Sequence, residues 1–123
     1  MVMEKVSRKE AEIYFNRGAK VIQYVHQNKT MDFCFVKING RFPQGDGYIS
    51  NDEVTECQYV VSGKAKIYLY DEENNCERII KLKKGDCNMY YPKEKYYIVG
   101  KITLAVVCNP AFTMTQSKDH KKE

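Results

Sequence analysis

Glu56 is the residue with the clearest chemical potential. It stands in the run Thr55-Glu56-Cys57-Gln58-Tyr59-Val60-Val61, whose β-branched and aromatic content marks a strand. Neighbouring strand residues point to opposite faces, so Glu56, Gln58 and Val60 share one face and Cys57, Tyr59 and Val61 the other. A carboxyl carried into an apolar interior has a raised pKa and can act as general acid or base. The competing role is structural, a buried carboxylate neutralised by a partner such as Arg41. Arg41, beside Pro43, also has the fork geometry to clamp an anionic ligand. By the same two-residue period Asn88 and Tyr90 share a face, opposite Cys87, Met89 and Tyr91. They offer a carboxamide and a phenol to a sugar or a carboxylate, or simply pack. Lys95, next to Tyr96 and Tyr97, is a weaker candidate and reads more readily as surface.

Other reactive residue types lack the company that chemistry needs. Five cysteines (Cys34, Cys57, Cys76, Cys87 and Cys108) make an odd count with no C-x-x-C spacing. That usage points to a reducing, intracellular compartment without a disulfide frame or zinc knuckle. Cys57 and Cys108 lie in apolar runs, which raises a thiol pKa and argues against a nucleophile. Of the two histidines, His26 reads as a strand-end residue and His120 as part of a polar tail. Gly45-Asp46-Gly47 lacks the helix and lysine of a phosphate cradle.

These residues need a scaffold, and the pattern along the chain describes one. The 123 residues, 43% hydrophobic and 29% charged, suit one soluble domain with its own core. Ser7 with Glu10 three residues on forms a capping-box pattern. Ala11, Tyr14 and Phe15 then predict a short helix that stops at Gly18. Beyond Gly18 the period becomes two. Strands are expected over 21–26, 31–38, 57–61, 64–70, 78–82, 87–91, 96–99 and 102–108, with turn signals between them. About eight or nine short strands without intervening helices predict an all-β sandwich or barrel. The expected organisation is one domain: a helix and first strand over 1–30, a core over 31–114, and a loosely anchored polar tail over 115–123. The formal charge of +4 is concentrated in the tail and in Lys81-Leu82-Lys83-Lys84. Neither stretch interleaves aromatics, so nucleic acid is not an expected partner. No run is long enough to span a membrane, and Met1-Val2-Met3-Glu4-Lys5 lacks the apolar core of a signal peptide. A cytoplasmic location is therefore expected.

Two glycine-anchored blocks carry a family resemblance. The first is Asn51-Asp52-Glu53-Val54-Thr55-Glu56-Cys57-Gln58-Tyr59-Val60-Val61-Ser62-Gly63, and the second Gly85-Asp86-Cys87-Asn88-Met89-Tyr90-Tyr91-Pro92-Lys93-Glu94-Lys95-Tyr96. They resemble the two signature motifs of the cupin superfamily. Gly40-Arg41-Phe42-Pro43 and Cys108-Asn109-Pro110-Ala111-Phe112 are similar to stretches of its small single-domain members. The resemblance implies a double-stranded β-helix, or jelly-roll barrel, preceded here by the short helix. It implies that the Glu56 face, with Gln58, looks into the barrel. In that family two motif-one histidines, a motif-one glutamate and a motif-two histidine hold a divalent metal. Here only the glutamate is kept, as Glu56. Asn51 or Asp52 stands where a motif-one histidine would be, and Tyr96 where the motif-two histidine would be, at the cavity mouth. No histidine-held metal is expected. A weakly held divalent ion on Asp52 and Glu56 is the one metal site the oxygen donors allow.

The resemblance thus implies a cavity that binds a small polar or anionic molecule, a sugar or a carboxylic acid. Arg41, Asn51, Gln58, Asn88 and Tyr90 are its candidate contacts. The alternatives are a metal-independent isomerase, epimerase or lyase with Glu56 and Tyr96 as acid–base pair, or an inactive interaction module. Whether the protein is an enzyme stays open at this point. A homodimer is implied by the family alone.

Overall fold

A computed structural model describes residues 2–122. The regular structure among the described residues is almost entirely strand: β1 (Glu12–Asn16), β2 (Ala19–Tyr24), β3 (Asp32–Phe42), β4 (Tyr48–Asn51), β5 (Thr55–Asp71), β6 (Cys76–Lys83), β7 (Cys87–Tyr90), β8 (Tyr96–Asn109) and β9 (Ser117–His120), with a single 3-10 turn at Met114–Gln116. β1-β2-β3-β8-β4-β9 forms one path of the sheet, and β5 pairs with β6, β7 and β8. The sheet curls so that inward side chains of β2, β3, β5 and β8 meet in a single core around Val21, Ile38, Val60, Ile98, Leu104 and Val106. Among the described residues no helix is long and apolar enough to cross a membrane.

The expected N-terminal helix is not formed. Its capping box is real but local: Ser7 N–H donates to Glu10 Oε1 at 3.0 Å, and Glu10 and Ala11 N–H donate to the Ser7 carbonyl. The turn does not propagate, because Ile13-Tyr14-Phe15 pairs with Lys20-Val21-Ile22 in an antiparallel hairpin. Arg17 and Gly18 close that hairpin in two residues, both at positive φ (49° and 93°), as the twist of a tight hairpin requires. Gly18 therefore marks a strand turn rather than a helix end.

The C-terminal residues also depart from expectation. The segment expected as a loose tail is β9, paired with β4 from Tyr48↔His120 to Asn51↔Ser117. Arg17 holds it from the far end of the chain through a two-pronged bond to Asp119, at 2.7 and 3.0 Å. The short strand β4, which the sequence pattern did not reveal, is buried along its whole length.

Two pairs of expected strands are in fact single long ones. β5 and β8 run side by side from Thr55↔Asn109 to Leu69↔Tyr96, with a bulge between Val60 and Ser62. The bulge reverses the inward parity: Glu56, Gln58 and Val60 face in before it, Ala65 and Ile67 after it. Gly63 and Gly100 sit at the bend. A Cβ at Gly63 would lie 2.1 Å from the Lys101 carbonyl oxygen, and one at Gly100 would lie 2.5 Å from that of Lys64. These glycines permit a close strand crossing at a barrel corner, not a chain reversal. Gly63→Ala combines that clash with a φ of +81°, so it should lower the unfolding free energy by at least about 2 kcal/mol. Urea melts of wild type and variant measure it; a loss near zero contradicts the close-crossing account.

Candidate functional site

The register of four strands places the polar groups. Across β3, β8, β5 and β7 one row reads Asp32↔Cys108↔Glu56↔Tyr90, and the next reads Cys34↔Val106↔Gln58↔Asn88. Directly paired residues share a face, so Asp32 and Glu56 look inward on either side of Cys108. The cavity they approach has a volume of about 50 Å³ and is lined mostly by apolar side chains, with Asn16, Asn51, Glu56, Gln58, Tyr96 and Ser117 as polar members. A buried water needs on the order of 10–15 Å³ of such space. The chamber therefore admits a few waters or one end of a small molecule.

Glu56 is buried at 9% exposure, and its two oxygens are taken by carboxamides. Gln58 Nε2 donates to Oε1 and Asn51 Nδ2 to Oε2, each at 3.0 Å. Both amides are oriented from behind. Ser117 Oγ donates to Asn51 Oδ1 at 2.8 Å, and Asn88 Nδ2 donates to Gln58 Oε1 at 3.1 Å. Burial pushes the Glu56 carboxyl above its usual pKa, the two amides pull it back, and the Asp32 carboxylate raises it further. Among the described residues no Lys, Arg or His lines the chamber.

The expected contacts are brought together only in part. Glu56, Gln58, Asn51 and Tyr96 share the chamber. Tyr96 is not at its mouth; it is buried in the wall, edge-on to Tyr90 with ring centroids 4.6 Å apart. Burial above all, then the nearby Glu56, holds its phenol well above the ordinary range. Asn88 and Tyr90 stand one layer back, around a separate space of about 40 Å³. Tyr90 is structural there: its hydroxyl accepts from Asn51 N–H at 3.0 Å and donates to the Glu94 carbonyl at 2.9 Å. Arg41 neither neutralises Glu56 nor lines the chamber. It donates to the Pro43 and Gly47 carbonyls at 2.7 and 2.9 Å and lies over the Tyr97 ring, so it ties down the 43–47 loop. Lys95 pairs with Glu72 on the surface.

The two oxygen donors expected for a divalent ion are not brought together. Asp52 turns outward toward Lys118, with its side chain 45% exposed, so it does not converge with Glu56. Among the described residues no group of three or more His, Cys, Asp or Glu side chains is gathered for a metal.

Several site residues escaped the sequence reading. Ser117 lay in the segment expected to be tail. Asp32, 6% exposed, had been one polar residue opening a strand. Its Oδ2 accepts from Gln23 Nε2 at 2.6 Å and from Phe112 N–H at 3.0 Å. The alternation Asp32-Phe33-Cys34-Phe35 was the available signal, since it puts Asp32 on the face of Cys34. The Cys108 thiol is pushed far up, first by its hydrogen bond with Cys34 and then by burial, which suits packing rather than attack.

Several solved structures share this architecture. The Streptomyces nucleoside dehydratase Pac13, solved with uridine as a variant in which a tyrosine is replaced by phenylalanine, superposes with a TM-score of 0.81 at 17% identity, covering 98% of this chain and 93% of that one. A Bacillus subtilis oxalate decarboxylase variant gives 0.69 at 13% identity, covering 92% of this chain and 31% of its own. A Planctomyces limnophilus protein gives 0.69 at 15% identity, covering 94% and 96%. No protein-family model and no curated protein matches the chain. At these identities the likeness shows the fold, a cupin-like double-stranded β-helix.

The position of Glu56 makes stability pH-dependent with a definite sign. A carboxyl whose folded pKa is raised is favourable while protonated, and that contribution is lost as pH rises through the folded value. Glu56→Gln cannot ionise. Its melting temperature relative to wild type should therefore climb as pH rises above the ordinary carboxylate range. A constant difference from pH 4 to 9 contradicts a raised Glu56.

Proposed function

We propose that the chamber binds one end of a small neutral, hydroxyl-bearing molecule, a sugar or a sugar-bearing nucleoside, and that Glu56 is the group that engages it. The observation that carries this reading is Glu56 held between Asn51 and Gln58 in a chamber with no basic side chain. A hydroxyl can donate to the carboxylate, or accept from the carboxyl when it is protonated. A carboxylic acid ligand is disfavoured: its charge would face Glu56, with Asp32 close behind, and meet no cation. Uridine in the structurally similar Pac13 supports a nucleoside-like ligand here.

A second reading, proton-transfer catalysis, is favoured by Glu56 and Tyr96 lining the same chamber. Each raises or is raised by its surroundings toward the protonated form. Glu56 would take or return the proton, and the Tyr96 phenol would donate a hydrogen bond to oxygen as negative charge develops on it. That combination suits a metal-independent isomerisation, epimerisation or elimination. Pac13 is named a nucleoside dehydratase, which supports the same chemistry class.

Calorimetric titration with uridine, ribose and oxalate tests the binding reading. Uridine or ribose should bind more tightly than oxalate, and Glu56→Gln should weaken that binding about tenfold, or about 1.4 kcal/mol. Preference for oxalate, or unchanged affinity in the variant, sinks it. Proton transfer predicts deuterium uptake at a sugar carbon in D₂O with wild type and none with Glu56→Gln, read by proton NMR.

A further inference from the structure

A second, larger pocket of about 510 Å³ opens on the other side of Phe112, walled by Tyr14, Val25, His26, Lys29, Phe112 and Met114, with Gln23 and Asp32 among its lining. Phe112 lines this pocket and the inner chamber alike, so it partitions them. The Asp32 carboxylate is more than nine-tenths buried, and its Oδ1 has no hydrogen-bond partner among the described residues.

Gln23, Tyr14 and the Phe112 amide have no donor left to give. Gln23 Nε2 spends its two hydrogens on Asp32 Oδ2 and the Phe112 carbonyl, at 2.6 and 3.1 Å. The Tyr14 hydroxyl spends its own on Gln23 Oε1 at 2.7 Å. Phe112 N–H is used on Asp32 Oδ2, and the Lys29 ammonium donates to the His26 carbonyl of its own loop. A buried carboxylate oxygen is costly to leave unpaired. Gln23, Tyr14 and the Phe112 amide are committed, and the remaining Lys29 N–H groups make no hydrogen bond to Oδ1, so the complement must come from outside the network. Glu56 adds a second carboxyl behind Asp32, close enough for the two to influence each other.

We propose that this outer pocket is a binding site for a ligand group that donates hydrogen bonds, with Asp32 Oδ1 as its acceptor. The shared chemistry is an N–H or O–H donor, supplied by an ammonium or guanidinium ion or by sugar hydroxyls. The site stands apart from the reading of the inner chamber, since it needs neither Glu56 nor a nucleoside.

Titration of the protein with methylguanidinium, ethylammonium and ribose, followed by ¹H–¹⁵N NMR, tests it. At least one probe should give saturable shifts of the Phe112 backbone amide and the Gln23 side-chain amide. Response to the cations but not ribose identifies a cationic group; the converse identifies a polyol. The responding probe should bind Asp32→Asn at least tenfold more weakly. No saturable shift at these two groups with any probe, or equal affinity in Asp32→Asn, overturns the proposal. If Asp32→Asn does not fold, Met114→Trp decides, because Met114 is on the pocket wall and 43% exposed. Weakening by tenfold or more supports the site, and unchanged binding overturns it. A uridine result at the inner chamber bears on neither outcome.

Discussion

Strand β8 is hydrogen-bonded along both edges, to β3 over Asp32–Phe42 and to β5 over Thr55–Leu69. This double pairing fixes which side chains enter the barrel. A slip of one residue on either edge would turn Asp32 or Glu56 outward and bring Phe33 or Cys57 in. With the observed register, polar residues collect at one end. The rows containing Asp32, Glu56, Gln58 and Gln23 lie there, and the next row along, Val21↔Val36↔Leu104↔Val60, is wholly apolar. The chamber thus has a chemical end and a packed end. Gly63 and Gly100 let the same two strands bend beyond the packed part without separating.

Within the chemical end, two opposed effects act on Glu56. Burial without a cation favours the neutral carboxyl, while two amide N–H groups favour the carboxylate. The amides are not free to reverse. Asn51 is held by Ser117 at its carbonyl, and Gln58 by Asn88 at its own. Turning either amide over would set its carbonyl oxygen against a Glu56 oxygen. The network therefore stays preorganised for charge in surroundings that resist charge. Such a balance keeps both protonation states accessible, which a residue that exchanges protons with a ligand requires.

The sequence made the barrel legible because its inward alternation is clean in β3, in β8 and in β5 up to its bulge, where Cys34, Val106 and Gln58 fall on the period of two. The motif blocks likewise pointed to Glu56, Asn51, Gln58 and Tyr96, which do share a chamber. What failed was context. Ser7 and Glu10 form a capping box that carries only one turn, because cross-strand partners for Tyr14 and Phe15 outweigh a short helix. Arg41 looked like a ligand clamp, yet neighbouring carbonyls and the Tyr97 ring take its guanidinium. Asp32 carries no motif at all. Its importance comes from Gln23 and Phe112, partners 9 and 80 residues away in the chain, and no local pattern reports such distances.

The C-terminal segment shows why polar composition misleads at a barrel rim. Ser117-Lys118-Asp119-His120 looks like solvated tail, yet each of its residues finds a partner on another element. Ser117 is buried and orients Asn51, while Asp119 receives Arg17 from the β1–β2 turn. Between them Lys118 faces Asp52 outside the barrel, and beyond them His120 meets Ser50 at 2.7 Å. A strand at the edge of a small barrel needs polar side chains on its wet face and tolerates them on its dry face only when each finds a partner. β9 meets that condition. The partnership of Ser117 with Asn51 extends the Glu56 network to β9, so the pairing of β9 with β4 helps to orient one of the two amides that donate to Glu56.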